Sequence, residues 1–175
     1  LHSTFVGPTR HDEEDAMKVG SVLVPLDGSS LAEAALPKAL ALIEDSPGAT
    51  LVLLRAAEAP SLPGADPTEA QIAAVDDAVK YLEKVAGDLR ARGVKTVKTS
   101  VWYGPPAPAI VEAAEIGRVD YIVMSTHGRS GLGRLILGSV AESVLRGTRT
   151  PIVLLRADGA PVESPVKDGR EIVNV

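Results

Sequence analysis

The stretch Val19-Gly20-Ser21-Val22-Leu23-Val24-Pro25-Leu26-Asp27-Gly28-Ser29-Ser30-Leu31-Ala32-Glu33 sets the reading of the whole chain. Val19 to Leu26 is apolar with no helical spacing, as expected of a strand buried on both faces. The chain then turns at once, because Ser30-Leu31-Ala32-Glu33 has the spacing of a capping box that opens a helix. Leu36, Leu40 and Ile43 share one face of that helix, and Pro37 is expected to kink it. A carboxylate, Asp27, therefore stands where a strand gives way to a helix. It has the chemistry to bind ribose hydroxyls or to help hold a metal on a nucleotide. Taken alone, an ordinary Asp-Gly turn accounts for the pair equally well.

The same alternation continues along the chain. Thr50 to Ala56 reads as a second strand and Pro60 to Pro67 as a loop. Thr68-Glu69-Ala70-Gln71 forms another capping box, after which Ile72, Val75, Val79, Leu82, Val85 and Leu89 keep helical spacing until Gly93. Val94 to Trp102, Tyr121 to Ser125 and Pro151 to Leu155 supply three more strands. Pro108 to Ile116, ended by Gly117, and Ser139 to Arg146, ended by Gly147, supply two more helices. Strands alternating with helices imply right-handed crossovers and an α/β fold with an open, doubly wound parallel sheet. In such sheets ligands bind beyond the carboxyl ends of the strands, where the strand order reverses.

Composition narrows the function classes. Apolar residues make up 45% of the chain and aromatics 3%, so Val, Leu, Ile and Ala must fill the core, as suits a parallel sheet under helices. The net charge of −5, with no cluster of Lys and Arg, argues against nucleic acid as a partner. The absence of Cys removes disulfides, thiol nucleophiles and thiolate metal sites, and is compatible with a reducing cytoplasm, where the protein is expected to reside. No apolar run is long enough for a membrane span, and residues 1–16 lack the pattern of a signal peptide. Residues 1–16 and 157–175 read as tails flanking one domain over 17–156.

A second stretch carries chemistry. After the strand ending at Ser125, the chain runs Thr126-His127-Gly128-Arg129-Ser130-Gly131-Leu132-Gly133 and reaches Gly138-Ser139. Glycines at this density let backbone N–H groups converge on an anion, and the helix opening at Ser139 adds its own unsatisfied N–H groups. Arg129 and Arg134 are candidate phosphate contacts. Ser139-Val140-Ala141-Glu142 is itself a capping box, so the Ser139 hydroxyl has two compatible roles, cap and phosphate contact. His127 is accompanied only by His2 and His11, which leaves no metal cluster and no Ser/His/Asp arrangement to assemble. Gly128 and Gly133 are spaced as in a P-loop, but Arg134 and Leu135 stand where its Lys and Ser or Thr belong, which disfavours that hydrolase mechanism.

Val22-Leu23-Val24-Pro25-Leu26-Asp27-Gly28-Ser29, together with Gly128, nine intervening residues and Gly138-Ser139, resembles the paired signatures of the universal stress protein family. The likeness covers about Lys18 to Arg156. It implies a five-stranded sheet of order 3-2-1-4-5 with helices on both faces. It further implies adenine near Pro25, Leu26 and the backbone of Ala56, ribose at Asp27, and phosphates on Gly128, Gly138, Ser139 and Val140, with Arg129 at hand. Ser125 occupies the position of the first glycine of the family motif. The resemblance thus implies ATP with Mg²⁺ or Mn²⁺, a homodimer joined through Ile152, Val153, Leu154 and Leu155, and a nucleotide-responsive role in the stress response with at most weak ATP hydrolysis. A structural dimer with no nucleotide and a slow ATP hydrolase are the competing readings.

Overall fold

A parallel sheet flanked by helices must bury both faces of its central strands, and the strands that read as continuously apolar do so. In the computed structural model, which describes residues 18–59, 66–126 and 138–156, Val22, Leu23, Val24, Ile122 and Val123 have no exposed surface. The strands are β1 (Ser21–Pro25), β2 (Thr50–Ala57), β3 (Val97–Tyr103), β4 (Tyr121–Thr126) and β5 (Ile152–Arg156). They form one sheet in the order β3-β2-β1-β4-β5, every pairing parallel. The fold is therefore the α/β sheet of order 3-2-1-4-5.

Helices cover both faces. On one, Val22, Val24, Leu51, Leu53 and Val123 pack with Ala39 of α2 (Leu36–Ile43) and with Leu82, Val85, Ala86 and Leu89 of α3 (Pro67–Ala91). On the other, Leu23, Leu54, Ile122 and Met124 pack with Ile110 and Ala114 of α4 (Pro106–Gly117) and Ala141 and Val144 of α5 (Ser139–Gly147). No helix among the described residues is long and apolar enough to cross a membrane.

Several helix boundaries differ from the sequence reading. The helix expected to open at Ser30 begins one residue after its cap, Ser29, whose hydroxyl accepts from the Ala32 N–H at 3.1 Å. It also divides in two: α1 (Ser30–Glu33) ends after one turn, and α2 restarts with Pro37 in its first turn. Proline lacks an N–H that the first turn does not use, so it starts a new helix here instead of kinking an existing one. The same preference places Pro67 ahead of Thr68 in α3, under an Asp66 carboxylate that accepts from the Thr68 N–H at 2.7 Å, and opens α4 at Pro106 instead of Pro108. β3 starts at Val97 because Val94 N–H still closes the end of α3 on the Leu89 carbonyl. The residue that ends α4 in the left-handed region is Arg118, not Gly117.

Candidate functional site

β1 and β4 run side by side, with Val22 opposite Tyr121 and Leu23 opposite Ile122. Beyond their carboxyl ends the chain leaves β1 toward α1 on one face of the sheet, and α5 stands on the other. This divergence opens a cleft of about 500 Å³, within the range of small-molecule sites. Eight residues singled out from the sequence line it: Pro25, Leu26, Asp27, Ala56, Ser125, Gly138, Ser139 and Val140. Gly128, Arg129 and the rest of the glycine-rich loop, like the loop at Pro60, lie outside the described residues.

The β1 side is a fixed turn. The Leu26 N–H donates to the Leu54 carbonyl at 2.7 Å, which is the last rung joining β1 to β2. Asp27 then accepts from the Ser29 N–H at 2.8 Å, and Gly28 takes φ +90°, a conformation that disfavours any other residue. The Asp-Gly turn inferred from sequence is thus present, and it carries the Asp27 carboxylate at the rim of the cleft.

The opposite wall is the start of α5. Its cap is Gly138, at φ −58° and ψ 149°, which has no side chain to accept from the first-turn N–H groups. The expected capping role of Ser139 is therefore overturned: Ser139 already has helical geometry, and a capping hydroxyl must come from the residue before the first helical one. The Ser139 side chain is exposed, and the first turn of a nine-residue helix meets the cleft through Gly138, Ser139 and Val140. Such a terminus favours an anion.

Between the two walls lies Ser125, near the end of β4 and opposite Leu155. Its Oγ is buried and has no hydrogen-bond partner among the described residues. Buried hydroxyls nearly always find partners, so an orphan at the edge of a cleft points to a group that arrives from outside. Thr126, next along, is satisfied by the Leu155 carbonyl at 3.3 Å.

The cleft also contains residues that the sequence reading passed over. Leu54, Ile110 and Met124 make its floor apolar, and Arg55 and Glu58 bring opposite charges to the β2 side. Arg55 did carry a signal: it is the one charged residue within the otherwise apolar strand Thr50–Ala57. No group of three His, Cys, Asp or Glu side chains suited to a metal ion occurs among the described residues.

The model of the universal stress protein family matches residues 18–156. The chain belongs to the universal stress protein family. A universal stress protein of Methanocaldococcus jannaschii is 41% identical over 80 residues, a stretch that spans 46% of this chain and 45% of that protein. The matched region is thus about half the length of that relative. Among solved structures, universal stress protein UspA from Lactobacillus plantarum superposes with a TM-score of 0.66 at 24% identity, over 79% of this chain and 99% of that one. A universal stress protein in complex with cAMP superposes at 0.60 and 22% identity, over 78% and 97%. Likenesses at these identities establish the shared fold.

Proposed function

We propose that this universal stress protein binds an adenine nucleotide, ATP in the first instance, in the cleft between β1 and β4. The observation that carries the reading is the uncapped N-terminus of α5 facing a carboxylate-bearing turn across an apolar floor. A nucleotide has the matching polarity, with anionic phosphates at one end, a hydroxyl-rich ribose between, and a flat apolar base. Phosphates belong at Gly138, Ser139 and Val140, ribose at Asp27, and adenine against Pro25, Leu26 and Ala56. The orphaned Ser125 hydroxyl is a group such a ligand would satisfy. A related fold holds cAMP.

Mg²⁺ or Mn²⁺ would travel on the nucleotide's own phosphates, since among the described residues Asp27 and Glu58 are the carboxylates lining the cleft. The protein then acts by occupancy, as a nucleotide-responsive homodimer. The dimer reading rests on β5, an edge strand whose Ile152, Val153, Leu154 and Leu155 are all half-buried in the single chain.

The test is to denature freshly purified protein, identify any released nucleotide by mass, and titrate ATP, ADP, AMP and cAMP by calorimetry. Released adenine nucleotide, or micromolar binding of one of the four, supports the reading. Protein that carries no nucleotide and gives no binding heat with any of them refutes it.

A further inference from the structure

The turn that carries Asp27 leads into a helix that cannot hold itself in place. α1 is four residues long and contains no buried residue, whereas isolated helices need several turns to be stable. Ala32 packs on the core and the chain runs on into α2, and three side chains add ties to other elements. The Tyr81 hydroxyl, from α3, donates to Glu33 Oε1 in α1 at 2.8 Å. The guanidinium of Arg55, from β2, lies over the Tyr81 ring with its central carbon 4.9 Å from the ring centre. The same guanidinium stands 3.8 Å from where a Cβ on Gly28 would be. A hydrogen bond and a cation–π contact thus link α1, through Glu33 and Tyr81, to Arg55, whose guanidinium lies near Gly28.

The register explains why Arg55 is in that place. Leu54 accepts the last β1 hydrogen bond through its carbonyl, so Arg55 is the first β2 residue beyond the point where β1 departs. Alternation along β2 puts Arg55 on the face of Leu51 and Leu53, which is the face α3 covers. Burial, followed by the hydrogen bond to Glu33, pushes the Tyr81 hydroxyl above its ordinary range, with Asp27 and Glu33 adding to the rise and Arg55 opposing it. Tyr81 accordingly stays protonated and remains a donor.

We infer that Arg55, braced on Tyr81 and through it on Glu33, is a positioning residue that holds the Asp27-Gly28-Ser29 turn in the shape that receives the ligand. The inference rests on the nucleotide reading above. It adds that affinity depends on a cation at the end of β2 and on an aromatic residue of α3, even where neither side chain touches the nucleotide.

Calorimetric titration of Mg-ATP into the full chain tests this with Arg55→Met, Tyr81→Phe, Asp27→Asn and the double variant Arg55→Met/Asp27→Asn. Arg55→Met should weaken binding about tenfold, which is 1.4 kcal/mol, and Tyr81→Phe, which keeps the ring but loses the tie to Glu33, by about threefold on the same scale. In the Asp27→Asn background Arg55→Met should cost almost nothing further, because a positioning residue has no effect once the group it positions is gone. Wild-type affinity in Arg55→Met, or full additivity with Asp27→Asn, overturns the inference while leaving the nucleotide site standing. If Arg55→Met does not fold, Tyr81→Phe and its own cycle with Asp27→Asn decide by the same criterion. Failure of the nucleotide reading looks different, since it appears as absent binding in the unsubstituted protein.

Discussion

Ser125→Ala separates a ligand-seeking hydroxyl from a structural one, because the two roles predict opposite signs. The Ser125 Oγ is buried without a partner among the described residues, and leaving a buried hydroxyl unsatisfied costs about 1–3 kcal/mol. Alanine removes that cost and keeps the Cβ packing, so the free protein should gain about 1 kcal/mol. For a chain of this size that raises the melting temperature by about 2–4 °C. Rotation about the single χ1 torsion between staggered positions would turn the hydroxyl toward the cleft when a ligand arrives. The hydrogen bond then formed is worth about 0.5–1.5 kcal/mol net, so Ser125→Ala should bind ATP about two- to tenfold more weakly. Scanning calorimetry of the free protein and isothermal titration with Mg-ATP read the two effects separately. A lower melting temperature in the free variant would mean that the hydroxyl has a partner after all, and unchanged ATP affinity would mean that it never meets the ligand. Ser125→Gly adds a control, since it restores the family glycine at a backbone cost of about 0.5–1 kcal/mol. Tighter ATP binding by the glycine variant would show that the serine crowds the site.

Gly138→Val should abolish ATP binding while the free protein melts nearly as before, because φ −58° and ψ 149° suit a β-branched residue whose side chain would block the start of α5. ATP at a hundred times its Kd stabilises a binding protein by about 2.7 kcal/mol, and thermal melts should show that increment in wild type and not in the variant; calorimetry that finds wild-type affinity would remove phosphate from this position. Gly28→Ala should destabilise the free protein by about 1 kcal/mol, since Gly28 sits at φ +90°, and should also weaken ATP binding by disturbing the Asp27 turn; a neutral result in denaturant titrations would contradict the turn's geometry. Light scattering at micromolar concentration should read two copies of the chain, and Leu155→Lys in the β5 edge should read one. A wild-type monomer at every concentration would remove the dimer.

How much the sequence discloses depends on how local the determinant is. The parallel sheet was legible because both-face burial writes itself into short apolar runs such as Val22-Leu23-Val24 and Ile122-Val123 that alternate with helical patterns. The strand order was not in those runs and came with the family resemblance. Helix starts misled wherever two candidate caps adjoin. Ser30, Thr68 and Ser139 each satisfy a capping-box spacing, yet the caps are Ser29, Asp66 and Gly138, because a proline in the first turn or the path of the incoming chain decides between neighbours. Arg55 stayed hidden for a different reason. A lone cation in a strand signals something, but its partner Tyr81 is 26 positions away on another element, and only the packing of α3 over β2 brings the two together.

The α5 wall of the cleft is Gly138, Ser139, Val140 and Ala141, facing Pro25, Leu26 and Ala56 across a floor of Leu54, Ile110 and Met124. On the nucleotide reading proposed above, phosphate is recognised by main-chain N–H groups, which needs the path of the chain and little else. Discrimination among ligands must then fall to the few cleft residues with distinctive polar side chains. Asp27 and Ser125 lie in the two stretches that resemble the family signatures, Ser125 where that resemblance implies glycine, and Arg55 and Glu58 put opposite charges beside the turn. On the nucleotide reading, preference among nucleotides is, for the described residues, a question about Ser125 and Glu58 and about Arg55 acting through the Asp27 turn. Substituting these three should change nucleotide selectivity more than any change to the walls that leaves the backbone path intact.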